Sequence, residues 1–104
     1  MTGGILSETL TLSELISNNT ALLEDFMVYL EVERNLSKHT LRAYTADIEH
    51  LLFWLKDLPV SQVNTNTIRL YLSQIQVFNY SKTTMARKIA AIRTFYRFLC
   101  LERW

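Results

Sequence analysis

The chain has 104 residues, 49% of them hydrophobic, with two glycines, one proline and one cysteine. That is enough for one hydrophobic core and too little for two, and so few helix breakers point to a folded, mostly helical domain. No apolar run approaches the ~18 residues a membrane span needs, no signal peptide is visible, and a single cysteine forms no internal disulfide; a reducing, cytoplasmic setting is expected.

A formal net charge of +1 conceals a division. Residues 1–33 carry six acids and no base, whereas residues 34–104 carry eleven bases against four acids, a net of +7. Such an asymmetry points to an anionic partner on one side of the domain.

Residues 1–19 show no sustained period and are expected as a flexible tail, with at most a turn of helix around Leu12 to Ile16. Residues 20–35 read as the first helix, capped by Thr20. Leu22, Phe26, Tyr29 and Leu30 face inward, and Glu24, Asp25, Glu31 and Glu33 lie mainly outside. The Asn35-Leu36-Ser37 step breaks this pattern. Ser37 then caps a second helix over residues 38–58, whose apolar face is Leu41, Tyr44, Ile48, Leu51, Leu52 and Leu55. Its first turn presents Lys38, His39, Thr40 and Arg42. Cations at a helix N-terminus oppose the dipole preference, so a phosphate drawn to the free amides is one reason for them; ordinary exposed charge is the other.

Pro59 ends the second helix. Asn64 or Asn66 caps a third, running to about Val77 with Ile68, Tyr71, Leu72 and Ile75 inward. With one base and no acid it reads as scaffold. Phe78-Asn79-Tyr80 turns into the last helix, which Ser81 caps and which runs to about Leu101. There Met85, Ile89, Ile92, Tyr96 and Leu99 recur at steps of four and three, the stripe of a helix facing a core. Opposite them stand Thr83, Ala86, Arg87, Ala90, Thr94 and Arg97, small and basic, with no acid from Lys82 to Leu101. Short side chains allow close approach to a surface, and arginines supply bidentate donors for phosphate or base edges. The same face also suits a merely solvated helix back. Cys100, beside Leu99, is expected as a small core residue rather than a nucleophile. The expected fold class is all-α, a compact bundle of four main helices. Its core is Phe26, Leu41, Tyr44, Ile48, Leu52, Ile68, Leu72, Ile89, Ile92 and Tyr96.

Two stretches together carry a family resemblance. The order Arg34-Asn35-Leu36-Ser37-Lys38-His39-Thr40-Leu41-Arg42-Ala43-Tyr44, with Asp47-Ile48 and Phe53-Trp54-Leu55 after it, resembles the opening helices of Xer-type tyrosine recombinases and phage integrases. Residues 84–99, with Ile92-Arg93 before Phe95-Tyr96 and Phe98-Leu99, look like the closing helix of the same domain.

The resemblance implies a SAM-like core-binding domain over residues 20–104 that clamps duplex DNA. The DNA-facing positions carried over are Lys38, His39, Thr40, Arg42 and Ala43, then Lys82, Thr83, Thr84, Ala86 and Arg87, with Arg93 and Arg97 reaching phosphates on the flank. Arg87, in mid-face, is expected to pair bidentately with guanine, and Arg97 to meet only backbone. Other recombinase subunits on the same DNA are the implied protein partners, and the setting is the nucleoid. The family's tyrosine nucleophile belongs to a separate catalytic domain, expected to lie outside this chain, so the fragment alone is not expected to be an enzyme. No metal, cofactor, small-molecule ligand or membrane partner is expected. The competing reading is a helical protein–protein interaction module whose acidic first helix and basic last helix dock onto neighbours without touching DNA.

Overall fold

Short-range signals place most of the helix ends. The computed structural model describes residues 12–56 and 58–102 and, within them, four α-helices and no strand: α1 (Leu12–Val32), α2 (Lys38–Leu55), α3 (Thr65–Ile75) and α4 (Lys82–Glu102). The all-α expectation holds. Helix α1 begins at Leu12, so Thr20 lies inside it and caps nothing. Of the tail expected over residues 1–19, residues 12–19 belong to α1 instead, and residues 1–11 lie outside the described residues.

Helix α1 gives way to α2 through Asn35, whose left-handed φ of 49° lets the Leu36 amide reach the Leu30 carbonyl at 3.2 Å. Ser37 caps α2, its Oγ accepting the Thr40 amide at 3.2 Å. This helix ends at Leu55, three residues before the expected boundary. A proline ring clashes with the carbonyl four residues before it, which for Pro59 is that of Leu55. Lys56 turns the chain there at φ 56°. Asn64, not Asn66, caps α3, reciprocally with Thr67: the Thr67 amide donates to Asn64 Oδ1 at 3.0 Å and the Asn64 amide to Thr67 Oγ1 at 3.4 Å. Helix α3 passes at Ile75 into a single 3-10 turn, Gln76–Phe78, and Asn79 at φ 54° redirects the chain into α4.

Helix α2 is central and packs against both α1 and α4. Ile48, Leu51, Leu52 and Leu55 of α2 meet Leu22, Phe26 and Leu30 of α1 and Ala91, Ile92, Phe95, Phe98 and Leu99 of α4 in one core. Phe26 joins two of these layers, edge-on to Phe95 at 5.1 Å and tilted against Phe98 at 5.4 Å between ring centroids. Helix α3 is keyed to α2 through Tyr71, which is buried beside Trp54 (5.2 Å) and shares a 3.0 Å hydrogen bond with His50 Nδ1. Trp54 Nε1 donates to Gln74 Oε1 at 2.8 Å.

Of the expected core, Phe26, Leu41, Ile48, Leu52 and Ile92 are buried; Tyr44, Ile68, Leu72, Ile89 and Tyr96 are half-buried at its margin. The difference concentrates in α4, which is rolled about a quarter turn, at 3.6 residues per turn, from the expected register. Its buried face is Lys88, Ala91, Ile92, Thr94, Phe95, Phe98 and Leu99. This face buries Phe95 and Phe98 completely, and hydrophobic stabilisation scales with the apolar area removed from water. Two expectations fall with the rotation. Thr94 is buried rather than on the free face, its hydroxyl donating to the Ala90 carbonyl at 2.9 Å, and Cys100 is exposed rather than in the core.

Candidate nucleic-acid interface

Helices α2 and α4 open with the same local chemistry. Each begins Ser-Lys-X-Thr: Ser37-Lys38-His39-Thr40 and Ser81-Lys82-Thr83-Thr84. In both, the serine Oγ accepts the threonine amide (3.2 and 3.1 Å) and its hydroxyl donates to the threonine Oγ1, at 3.1 Å in each case. The two caps are thus the same ring, and neither first turn contains an acid. The macrodipole and the cations add the same sign at these ends. Lys38, His39 and Arg42 are exposed on α2, with Thr40 and Ala43 half-buried; Lys82, Thr83 and Ala86 are exposed on α4, with Thr84 half-buried.

The middle of α2 is tied to the start of α4 by a cluster that periodicity did not reveal. Asp47 of α2 is only 3% exposed. Its Oδ2 accepts Arg87 Nε at 2.8 Å and its Oδ1 accepts Arg87 Nη2 at 2.9 Å and Lys88 Nζ at 3.0 Å. Lys88 is itself buried and stands 4.8 Å from the centroid of the Tyr80 ring, which brings the turn before α4 into the same junction. The hydrogen bonds to Asp47 raise the Arg87 pKa further above its ordinary value. At a 1.5 Å rise per residue, Lys38 lies about 14 Å and Thr83 about 6 Å along their helices from this junction.

Asp47 thus occupies the Nε–Nη2 edge of Arg87, whose side chain is 40% exposed. Arg93 and Arg97 are exposed. Arg93 belongs to a different flank, where with Arg69 it borders a groove of about 520 Å³ floored by Ile68, Leu72, Ile89 and Ile92. The sequence signal for the missed cluster was a second four-and-three stripe in α4, Thr84, Lys88, Ala91, Phe95 and Phe98, disguised by its lysine.

Of the two histidines, His39 is exposed at the start of α2. His50 is engaged with Tyr71. Burial pushes the Tyr71 phenol up to about 12, with the Asp47 charge adding to it, and burial alone pushes Tyr96 up to about 12. The Tyr96 hydroxyl is buried without a hydrogen-bond partner. Among the described residues no three side chains of histidine, cysteine, aspartate and glutamate cluster as metal ligands would, and no helix is long and apolar enough to cross a membrane.

Four helices, two of them with serine-capped, acid-free and basic starts, make up a small all-α domain. The chain belongs to the family described as the phage integrase N-terminal SAM-like domain, whose model matches residues 23–103. It is similar to the tyrosine recombinase XerC of Listeria innocua, 39% identical over 80 residues, which are 74% of this chain and 27% of that protein. Similarity extends to the tyrosine recombinase XerC of Halalkalibacterium halodurans, 30% identical over 83% of this chain and 29% of the relative. The tyrosine recombinase XerD of Chlorobaculum tepidum is 35% identical over 78% of this chain and 27% of the relative. The chain thus spans less than a third of the length of these curated relatives. No solved structure matches it.

Proposed function

We propose that this chain is the DNA-binding N-terminal domain of a site-specific tyrosine recombinase, gripping duplex DNA with the starts of α2 and α4. The observation that carries the reading is the pair of identically capped, acid-free helix starts anchored to one buried junction. Free amides, helix dipole and cations coincide there, which is the arrangement that attracts phosphate. Lys38, His39 and Arg42 on one helix and Lys82 and Thr83 on the other meet the backbone, while Ala43 and Ala86 leave room for close approach. Thr40 and Thr84 act mainly through the caps, and Arg93 and Arg97 contribute charge from the flank. Strand cleavage and rejoining belong to another domain of the recombinase, and further recombinase subunits share the DNA in the nucleoid.

A second reading has its own observation. Met27, Val28 and Val32 are exposed on α1 among the exposed acids Glu24, Asp25, Glu31 and Glu33, a surface suited to docking protein rather than DNA. Salt separates the two. In the DNA reading, fluorescence anisotropy with a short duplex gives a dissociation constant of about 10⁻⁴–10⁻⁶ M at physiological salt, and affinity falls steeply between ~50 and ~200 mM. Lys38→Ala and Arg42→Ala each flatten the log–log salt slope by about one unit. Absent duplex binding, with salt-insensitive self-association through α1, favours the second reading.

A further inference from the structure

Asp47 is a buried carboxylate in the middle of α2, facing the basic start of α4, where a protein that binds an anion gains nothing from negative charge. Lys88 alone, buried and 3.0 Å away, neutralises it. The second cation is therefore surplus to charge compensation, and what its two bonds at 2.8 and 2.9 Å add is orientation. A guanidinium is planar, with five N–H groups in a fixed fork, so a carboxylate holding the Nε–Nη2 edge also fixes where the opposite edge points. Both hydrogens of Nη1 and the second hydrogen of Nη2 remain, on a side chain that is 40% exposed. One hydrogen of Nη1 and that of Nη2 form the end-on edge, which matches two oxygens of a phosphate. An arginine already immobilised loses little rotamer freedom when it binds.

We propose that Asp47 is a positioning residue: it holds Arg87 by the side-on edge so that the end-on edge is pre-set to grip one phosphate of duplex DNA. This rests on the DNA-binding reading given above. Tyr80 and Lys88 serve the same end, since the cation over the ring keeps the entry to α4 in register with Asp47.

The test is duplex affinity of the full 104-residue chain across a salt series, with circular dichroism to confirm that each variant is folded. Asp47→Asn removes a negative charge, so electrostatics alone makes binding tighter. Positioning makes it about three- to tenfold weaker, the net worth of one hydrogen bond, and the salt slope shallower. In an Arg87→Ala background the same substitution no longer weakens binding, because the group it orients is gone. Arg87→Lys keeps the charge and a partner for Asp47 but has no second edge, and binds more like Arg87→Ala than like the unaltered chain. The proposal is overturned if Asp47→Asn binds as tightly as the unaltered chain or tighter. It is equally overturned if that variant weakens binding by the same factor whether or not Arg87 is present, the mark of a purely structural role. Should Asp47→Asn lose its helical signal, Arg87→Lys decides, and normal affinity in that variant overturns the proposal. Salt-dependent duplex binding by the unaltered chain alongside any of these results sinks the positioning role alone; no duplex binding at all sinks the DNA reading with it.

Discussion

Phe95→Ala tests the register of α4, on which the placement of its interface residues and of Arg87 depends. Phe95 is fully buried, edge-on to Phe26 at 5.1 Å and 5.3 Å from Tyr96 between centroids. Truncating a buried phenylalanine costs about 3–5 kcal/mol, and loss of well-placed aromatic neighbours puts this site toward the upper end. Native domains are stable by only about 5–15 kcal/mol, so the variant forfeits a large part of the total. At roughly 4–8 °C per kcal/mol for a domain of this size, Tm falls by roughly 15 °C or more. Ile89→Ala is the internal comparison. Ile89 belongs to the stripe that periodicity alone selects, yet it is half-buried at the groove between α3 and α4, and its loss costs about 1–2 kcal/mol. Urea denaturation followed by far-ultraviolet circular dichroism ranks the two. An Ile89→Ala loss equal to or larger than that of Phe95→Ala refutes the rotation of α4, and with it the Asp47–Arg87 geometry.

Three further outcomes follow from particular side chains. With the folded phenols of Tyr71 and Tyr96 raised to about 12, the unfolded chain gives up those protons first. Their contribution to stability is intact below pH ~10 and is lost as pH rises toward 12. Spectrophotometric titration of the native chain shows a late phenolate component that Tyr71→Phe and Tyr96→Phe each diminish; complete ionisation near pH 10 without unfolding contradicts it. Cys100, being exposed, reacts with a thiol reagent in native buffer as readily as in urea, whereas marked native protection places it back in the core. Ser37→Ala and Ser81→Ala each lower the unfolding free energy by about 1 kcal/mol, and the double variant by about the sum, because the two caps share no partner. A loss well under half of that for either single variant removes the cap from the account.

What the sequence made legible was what short-range physics controls. Ser37, Asn64 and Ser81 mark helix starts because a side-chain oxygen next to orphan amides has few better uses, and Pro59 ends α2 because its ring excludes a continuing helix. The four-helix class and the cationic starts of α2 and α4 are local in the same sense. The register of α4 was not legible, because two interleaved stripes satisfy the same four-and-three spacing, and the correct one contains Lys88. A lysine in a core stripe makes sense only with Asp47 opposite it, and the pair is 41 residues apart. No window short enough to show periodicity contains both. The bond from Arg87 to Asp47 was hidden for the same reason. Helix α1 extends to Leu12 although Ser17, Asn18 and Asn19 within it have weak helix propensity, which is a modest energy that the rest of the helix overrides.

The central claim is that the starts of α2 and α4 together form a duplex-binding face. Its most direct measurement is an amide chemical-shift titration of the isotope-labelled chain with a short DNA duplex, read residue by residue and repeated at raised salt. Amides of residues 38–43 and 82–87 are expected to move together and along one binding curve. Those of residues 24–33 on α1 stay still, and all the shifts retreat as salt rises. Shifts confined to α1, or shifts on α2 and α4 that persist undiminished at high salt, would contradict it.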